Sequence, residues 1–286
     1  DEPALLAGLL RDGLFSVLKI GEWIGPQRET HGTTDSVRAD SVAIRGLPMD
    51  GVVLLVGCDK TTPALLMGAA SCDLPTICVS GGPMLNGHYR GEQIGSGTHV
   101  WKFSEAVKAG EMTLEDFLGA EQANARSAGH CMTMGTASTM TAIAEAMGLT
   151  LPGASSIPAM DANHARMAAG CGRRIVDMVW ENLTPDALVT PASVRNAGVT
   201  AMAMGCSTNA VIHLIAMARR AGVTFGLDDF DALGRDVPVI ANIRPSGDRY
   251  LMEDFYLAGG LRALMARLGA RIDPSPITAT GRPIGE

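Results

Sequence analysis

Short unbroken runs of β-branched and apolar residues alternate in this chain with longer stretches of helical periodicity, and few folds accept that pattern. A strand covered on both faces reads as a continuous apolar run, and returning to a parallel neighbour needs a crossover that a helix supplies. The candidate strands are 15–20, Val52–Val56, Thr76–Ser80 and 237–243. The candidate helices are 63–70, 114–127, 138–147, 164–181, 209–221 and 251–268. The expected class is α/β, a parallel or mostly parallel sheet flanked by helices.

The helix at 138–147 shows the basis of these assignments. Met140, Ile143, Ala144 and Met147 recur at helical spacing and Gly148 supplies a stop, so the helix N-terminus faces the loop 129–135. In the same way, Thr61 and Thr62 are expected to cap a helix that begins near Pro63. Glycine and proline clusters at 25–40, at 80–98 and from Asp273 onward are the candidate linkers. Residues 1–272 are therefore expected to form one α/β domain, with 273–286 as a tail.

Composition removes several function classes. At 286 residues and 47% hydrophobic content the chain suffices for one large domain or two small ones. A net charge of −7, no basic stripe and 4% aromatics leave no footprint of a nucleic-acid binder. Apolar runs such as Val52–Val56 fall far short of the ~20 residues that cross a bilayer, and Asp1-Glu2-Pro3 lacks a basic leader. A soluble cytoplasmic protein with neither nucleic-acid nor membrane partners is expected. Six cysteines without regular spacing favour reduced thiols over a disulfide framework.

The chemistry concentrates in Gly57-Cys58-Asp59-Lys60, which follows an apolar strand and precedes a helix. In open α/β sheets ligands bind at that carboxyl end. A helix N-terminus favours the thiolate, which makes Cys58 a candidate metal ligand, and Cys131 in the loop before the next helix has the same setting. The plain alternative makes both cysteines small buried hydrophobes, Asp59 a cap and Lys60 a solvated side chain. A phosphate-binding loop is excluded, because the Walker pattern needs glycine immediately before the lysine and Asp59 stands there.

Longer motifs carry a resemblance. They are the stretch from Met49 through Gly57-Cys58-Asp59-Lys60-Thr61-Thr62-Pro63 to Ala70, then Ser80-Gly81-Gly82-Pro83-Met84, Met134-Gly135-Thr136-Ala137-Ser138-Thr139-Met140, Ser207-Thr208-Asn209-Ala210, Pro245-Ser246-Gly247 and Ala258-Gly259-Gly260. In this order they resemble the dihydroxy-acid dehydratase and 6-phosphogluconate dehydratase family. Gly91-Glu92, Gly95-Ser96-Gly97-Thr98-His99 and Trp101-Lys102-Phe103-Ser104-Glu105 are most similar to its pentonate branch, the arabinonate and xylonate dehydratases. The resemblance runs from about Gly46 to the end of the chain.

It implies a [2Fe-2S] cluster held by three cysteines, of which Cys58 and Cys131 match two, the third being expected upstream of Asp1. It implies Mg²⁺ beside the cluster, held by Asp59, by Lys60 as a carbamate and, if spacing is preserved, by Glu22. The segment after Glu22 departs from the family's Arg-Pro-Thr-Ala-Met helix. Ser207 and Thr208 match a substrate-binding motif. The implied reaction takes the C2 proton and the C3 hydroxyl from a 2,3-dihydroxy sugar acid, giving a 2-keto-3-deoxy acid. The catalytic serine is expected in a C-terminal domain beyond Glu286, and the enzyme is expected to be homo-oligomeric. The alternatives are a dihydroxy-acid dehydratase of branched-chain amino-acid synthesis and a cofactor-free remnant acting as a binding module. Cys206 replaces a usual glycine and is either a third sulfur or a packing residue. His130 reads as a loop histidine bonded to backbone, and Cys72, Cys78 and Cys171 as core.

Overall fold

The computed structural model describes residues 44–95 and 98–286. The strand expected at 15–20 and Glu22 lie outside the described residues. Strand β1 (Val52–Val56) and strand β2 (Thr76–Ser80) pair in parallel, Val52 opposite Thr76 and Val56 opposite Ser80. Every β2 residue is buried, as are four of the five in β1, which is why neither strand alternates polar and apolar side chains. Helix α1 (Thr61–Cys72) connects them and packs on β1.

The expected caps of α1 behave differently. No side chain caps this helix, and the Thr62 hydroxyl donates 3.0 Å backward to the Cys58 carbonyl instead of accepting from a first-turn N–H. Pro63 lies inside the first turn, where its missing N–H costs nothing.

After β2 comes an excursion. Strands β3 (Gly87–Tyr89) and β4 (Glu92–Ile94) form an antiparallel hairpin, followed by α2 (His99–Lys108) and α3 (Leu114–Asn124). The stretch 80–98, expected to be a linker, contains this hairpin because Arg90 and Gly91 both adopt positive φ, 50° and 84°, at its two-residue turn.

The main helical layer begins with α4 (Thr136–Ala146), which is buried on nearly all sides. Long helix α5 (Ala162–Glu181) packs on both β1 and β2. Next are the short α6 (Pro185–Leu188), then α7 (Pro191–Met204) and α8 (Asn209–Arg220), both packed on α4. Thr190 and Ser193 bond reciprocally at the start of α7, and Pro191 occupies its first turn. After α9 (Leu227–Asp236) the chain continues to α10 (Met252–Leu257) and α11 (Gly260–Leu268).

Two expected elements are corrected. Residues 237–243 form no strand: the N–H groups of Ile240 and Ala241 donate to the Ala203 carbonyl at the end of α7, and only Ile243 makes a bridge, with Tyr250. Pro238 also removes a donor that a ladder would need. The single helix expected at 251–268 is two, broken where Gly259 takes φ 103° and Gly260 φ 61°. The stretch 273–286 folds back on the body, where Asn196 and Asp273 exchange two hydrogen bonds and Ala279 N–H donates to the Gly148 carbonyl. Among the described residues no helix is long and apolar enough to cross a membrane.

Candidate functional site

The parallel pairing of β1 and β2 brings their carboxyl ends side by side, and three loops meet there. Gly57-Cys58-Asp59-Lys60 leaves β1, and Gly81-Gly82-Pro83-Met84 leaves β2, with Gly81 N–H donating to the Val56 carbonyl at 2.6 Å. The loop before α4 lies alongside the second of these. His130 N–H donates to the Gly82 carbonyl at 2.9 Å, and Met84 N–H donates to the His130 carbonyl at 2.8 Å. Gly129 makes this approach possible: its φ is 127°, and a Cβ there would stand 2.6 Å from Met84 N. A Cβ on Gly57 would stand 3.5 Å from Gly81 Cα and 3.8 Å from the His130 ring. The loops bearing Cys58 and Cys131 thus flank the same extension of β2.

The six cysteines divide by exposure. Cys58 is exposed and Cys131 half-buried, while Cys78 and Cys171 are fully buried and Cys72 half-buried. Burial pushes the Cys171 thiol up to about 11 and that of Cys206 to about 12, so both are held as neutral thiols. Cys206 packs against the core, the packing role among its two expected readings.

Asp59 and Lys60 form an ion pair, Nζ standing 3.1 Å from Oδ2 and 3.2 Å from Oδ1, both side chains remaining in part accessible. Helix α8 brings His213 toward this pair. Its pKa is lowered, chiefly by burial, while Asp59 pulls it up and Lys60 pushes it down.

Around Cys131 the polar groups are densely connected. The Thr133 hydroxyl is 2.9 Å from Cys131 Sγ, and the Ser138 hydroxyl donates to the Thr133 carbonyl at 2.9 Å. His130 Nδ1 donates to the Cys131 carbonyl at 3.1 Å, so the loop histidine is indeed bonded to backbone. Burial lowers its pKa to about 4 and leaves the ring neutral. Its Nε2 is sealed from solvent and has no hydrogen-bond partner among the described residues.

The Ser207-Thr208 motif joins the same region from the far side. Ser207 Oγ lies 2.8 Å from Thr136 Oγ1, Ser207 N–H donates to Thr139 Oγ1 at 3.1 Å, and Asn209 Nδ2 donates to Thr136 Oγ1 at 3.2 Å. Thr208 stands exposed just before α8. Sequence reasoning did not single out Thr133, Thr136, Thr139 or His213. The available signal was the run of hydroxyls at Thr133, Thr136, Ser138, Thr139 and Thr141 in a helix that is otherwise apolar but for Glu145, and in its approach loop.

A family model described as dihydroxy-acid/6-phosphogluconate dehydratase N-terminal matches residues 34–286. The chain belongs to this dehydratase family. It is 61% identical over 227 residues to an L-arabinonate dehydratase of Rhizobium leguminosarum bv. trifolii, covering 79% of this chain and 39% of that protein. Against a D-xylonate dehydratase of Caulobacter vibrioides it is 45% identical, covering 85% and 41%. A dihydroxy-acid dehydratase of Desulfosudis oleivorans is 40% identical, with 87% and 46% covered. The chain therefore spans about two fifths of the length of the curated relatives it matches.

The donor set of this dehydratase-family chain suits an iron–sulfur group and a hard cation side by side. The loop thiols Cys58 and Cys131 are soft ligands suited to iron, and the Asp59 carboxylate adjoining Cys58 is an oxygen donor suited to Mg²⁺. The orphaned Nε2 of His130 marks the same place as polar and incomplete. Among the described residues no group of three or more His, Cys, Asp or Glu gathers closely enough to hold a metal ion by itself.

Proposed function

We propose that this chain is part of a hydro-lyase that removes water from a 2,3-dihydroxy sugar acid to give a 2-keto-3-deoxy acid, using a [2Fe-2S] cluster and Mg²⁺. The observation that carries the reading is the meeting of the Cys58, Asp59 and Lys60 loop with the Cys131 loop at the carboxyl ends of β1 and β2. A pentonate is the favoured substrate, since identity to the L-arabinonate dehydratase exceeds that to the dihydroxy-acid dehydratase, 61% against 40%.

When bound, the cluster and Mg²⁺ supply Lewis acidity, neutralising charge that develops on the departing hydroxyl and at the carboxylate end of the substrate. Cys58 and Cys131 are the proposed sulfur donors. Asp59 is a proposed oxygen donor to Mg²⁺, with Glu22 as a second. Lys60 joins them once carbon dioxide has converted its amine, which a hard cation does not bind, into a carbamate. The Ser207 and Thr208 hydroxyls offer hydrogen bonds to the polyol. The acceptor for the C2 proton is assigned to a serine outside residues 1–286. Six cysteines without regular spacing suit a reducing cytoplasm, and a homo-oligomeric enzyme is proposed.

The test uses the protein extended to the length of its relatives and loaded anaerobically with iron, sulfide and Mg²⁺. Formation of 2-keto-3-deoxy acid from L-arabinonate or D-xylonate, faster than turnover of 2,3-dihydroxyisovalerate, is the expected result. Loaded protein that makes no keto acid from any of the three overturns the proposal.

A further inference from the structure

We infer that Thr133 is a positioning residue whose hydroxyl donates a hydrogen bond to the Cys131 sulfur when that sulfur is a metal-bound thiolate. This rests on the cluster reading above. Oγ1 stands 2.9 Å from Sγ, and in the free thiol either atom could donate. A bound thiolate has no proton to give, so the direction is fixed as Oγ–H to Sγ. Thr133 cannot turn away easily, being only 4% exposed. Its carbonyl accepts from the Ser138 hydroxyl at 2.9 Å, and its methyl lies against Gly95, where a Cβ would meet it at 3.3 Å.

Backbone and side chain are thus held from both sides before any metal arrives. Hydrogen bonds to ionised acceptors are stronger than neutral ones, and those to cluster sulfurs help set the reduction potential. A donor at Sγ stabilises the more negative, reduced cluster. Removing it lowers the potential.

The experiment compares loaded wild type with Thr133→Val and Thr133→Ala, which lack the hydroxyl, and with Thr133→Ser, which keeps it. The readouts are the midpoint potential and the deuterium sensitivity of the Fe–S(Cys) resonance Raman bands. The expected result is a reduction equilibrium shifted about tenfold toward the oxidised cluster in the Val and Ala variants, ~59 mV for one electron. The deuterium-sensitive band should weaken with it, and Thr133→Ser should retain both properties. Loading by Thr133→Ser but by neither hydroxyl-free variant also supports the assignment. Val or Ala variants with wild-type potential and isotope response overturn it and leave the cluster reading standing, as does loss of loading in all three variants. Wild type that takes up no iron and sulfide overturns the cluster reading itself, and the role of Thr133 with it.

Discussion

The Thr136 and Ser207 hydroxyls meet at 2.8 Å although 71 residues separate them in the chain. This contact joins the start of α4, just after the Cys131 loop, to the loop that opens α8. Asn209 bonds to both partners, through Nδ2 to Thr136 Oγ1 and through its N–H to Ser207 Oγ.

Ser207→Ala and Thr136→Val are each expected to lower stability by about 1 kcal/mol, the net worth of an ordinary hydrogen bond. The double variant should fall short of the sum by about 0.5 kcal/mol or more, because the two groups share one network. Urea unfolding of the four proteins measures this coupling. Strict additivity would show that the contact does not form in solution.

Gly129→Ala is expected to destabilise the protein by more than about 2 kcal/mol, since it combines a strained positive φ with a backbone collision. The added methyl would stand 2.6 Å from Met84 N and 2.7 Å from the Pro83 carbonyl carbon. Because His130 pairs with Gly82 and Met84, the displacement moves Cys131 away from the β2 extension. Differential scanning calorimetry reads the stability, and iron content of the loaded variant reads the displacement.

The loops that meet at the candidate site were legible in the sequence, and their scaffold only partly. The path β1, loop, α1 was readable because an apolar run, a glycine and a proline-containing helix start stand in unbroken succession from Val52 to Pro63. Residues 237–243 misled because Val237, Val239, Ile240 and Ile243 have strand propensity, yet propensity needs a ladder partner, and this segment finds the Ala203 carbonyl and an isolated bridge from Ile243 to Tyr250 instead. Helical spacing on both sides of Gly259-Gly260 concealed the break between α10 and α11. The hydroxyls of Thr133 and Thr136 were unremarked because each acquires meaning only from a partner that folding supplies.

Glu145 provides a pH signature away from the site. It is buried at the end of α4, and its carboxylate oxygens accept from the N–H groups of Gly153 at 2.6 Å and Ser155 at 2.8 Å. Burial raises its pKa above the ordinary 4.5 despite these bonds. Between the unfolded and the raised folded value the native state binds more protons than the unfolded chain, so this group's contribution to stability falls as pH rises through that window. Glu145→Gln should lack that component of the pH dependence. Glu145→Ala should cost about 2 kcal/mol or more by stranding two buried donors. Thermal unfolding across mildly acidic pH checks both.

The central claim concerns Cys58 and Cys131, and anaerobic reconstitution with iron and sulfide tests it most directly. In the protein extended to the length of its relatives, the visible charge-transfer absorption and bound iron should appear in wild type and in Cys72→Ser. Both should be lost in Cys58→Ser and in Cys131→Ser. Wild type without bound iron, or a Cys58→Ser variant with unchanged absorption, would contradict the account.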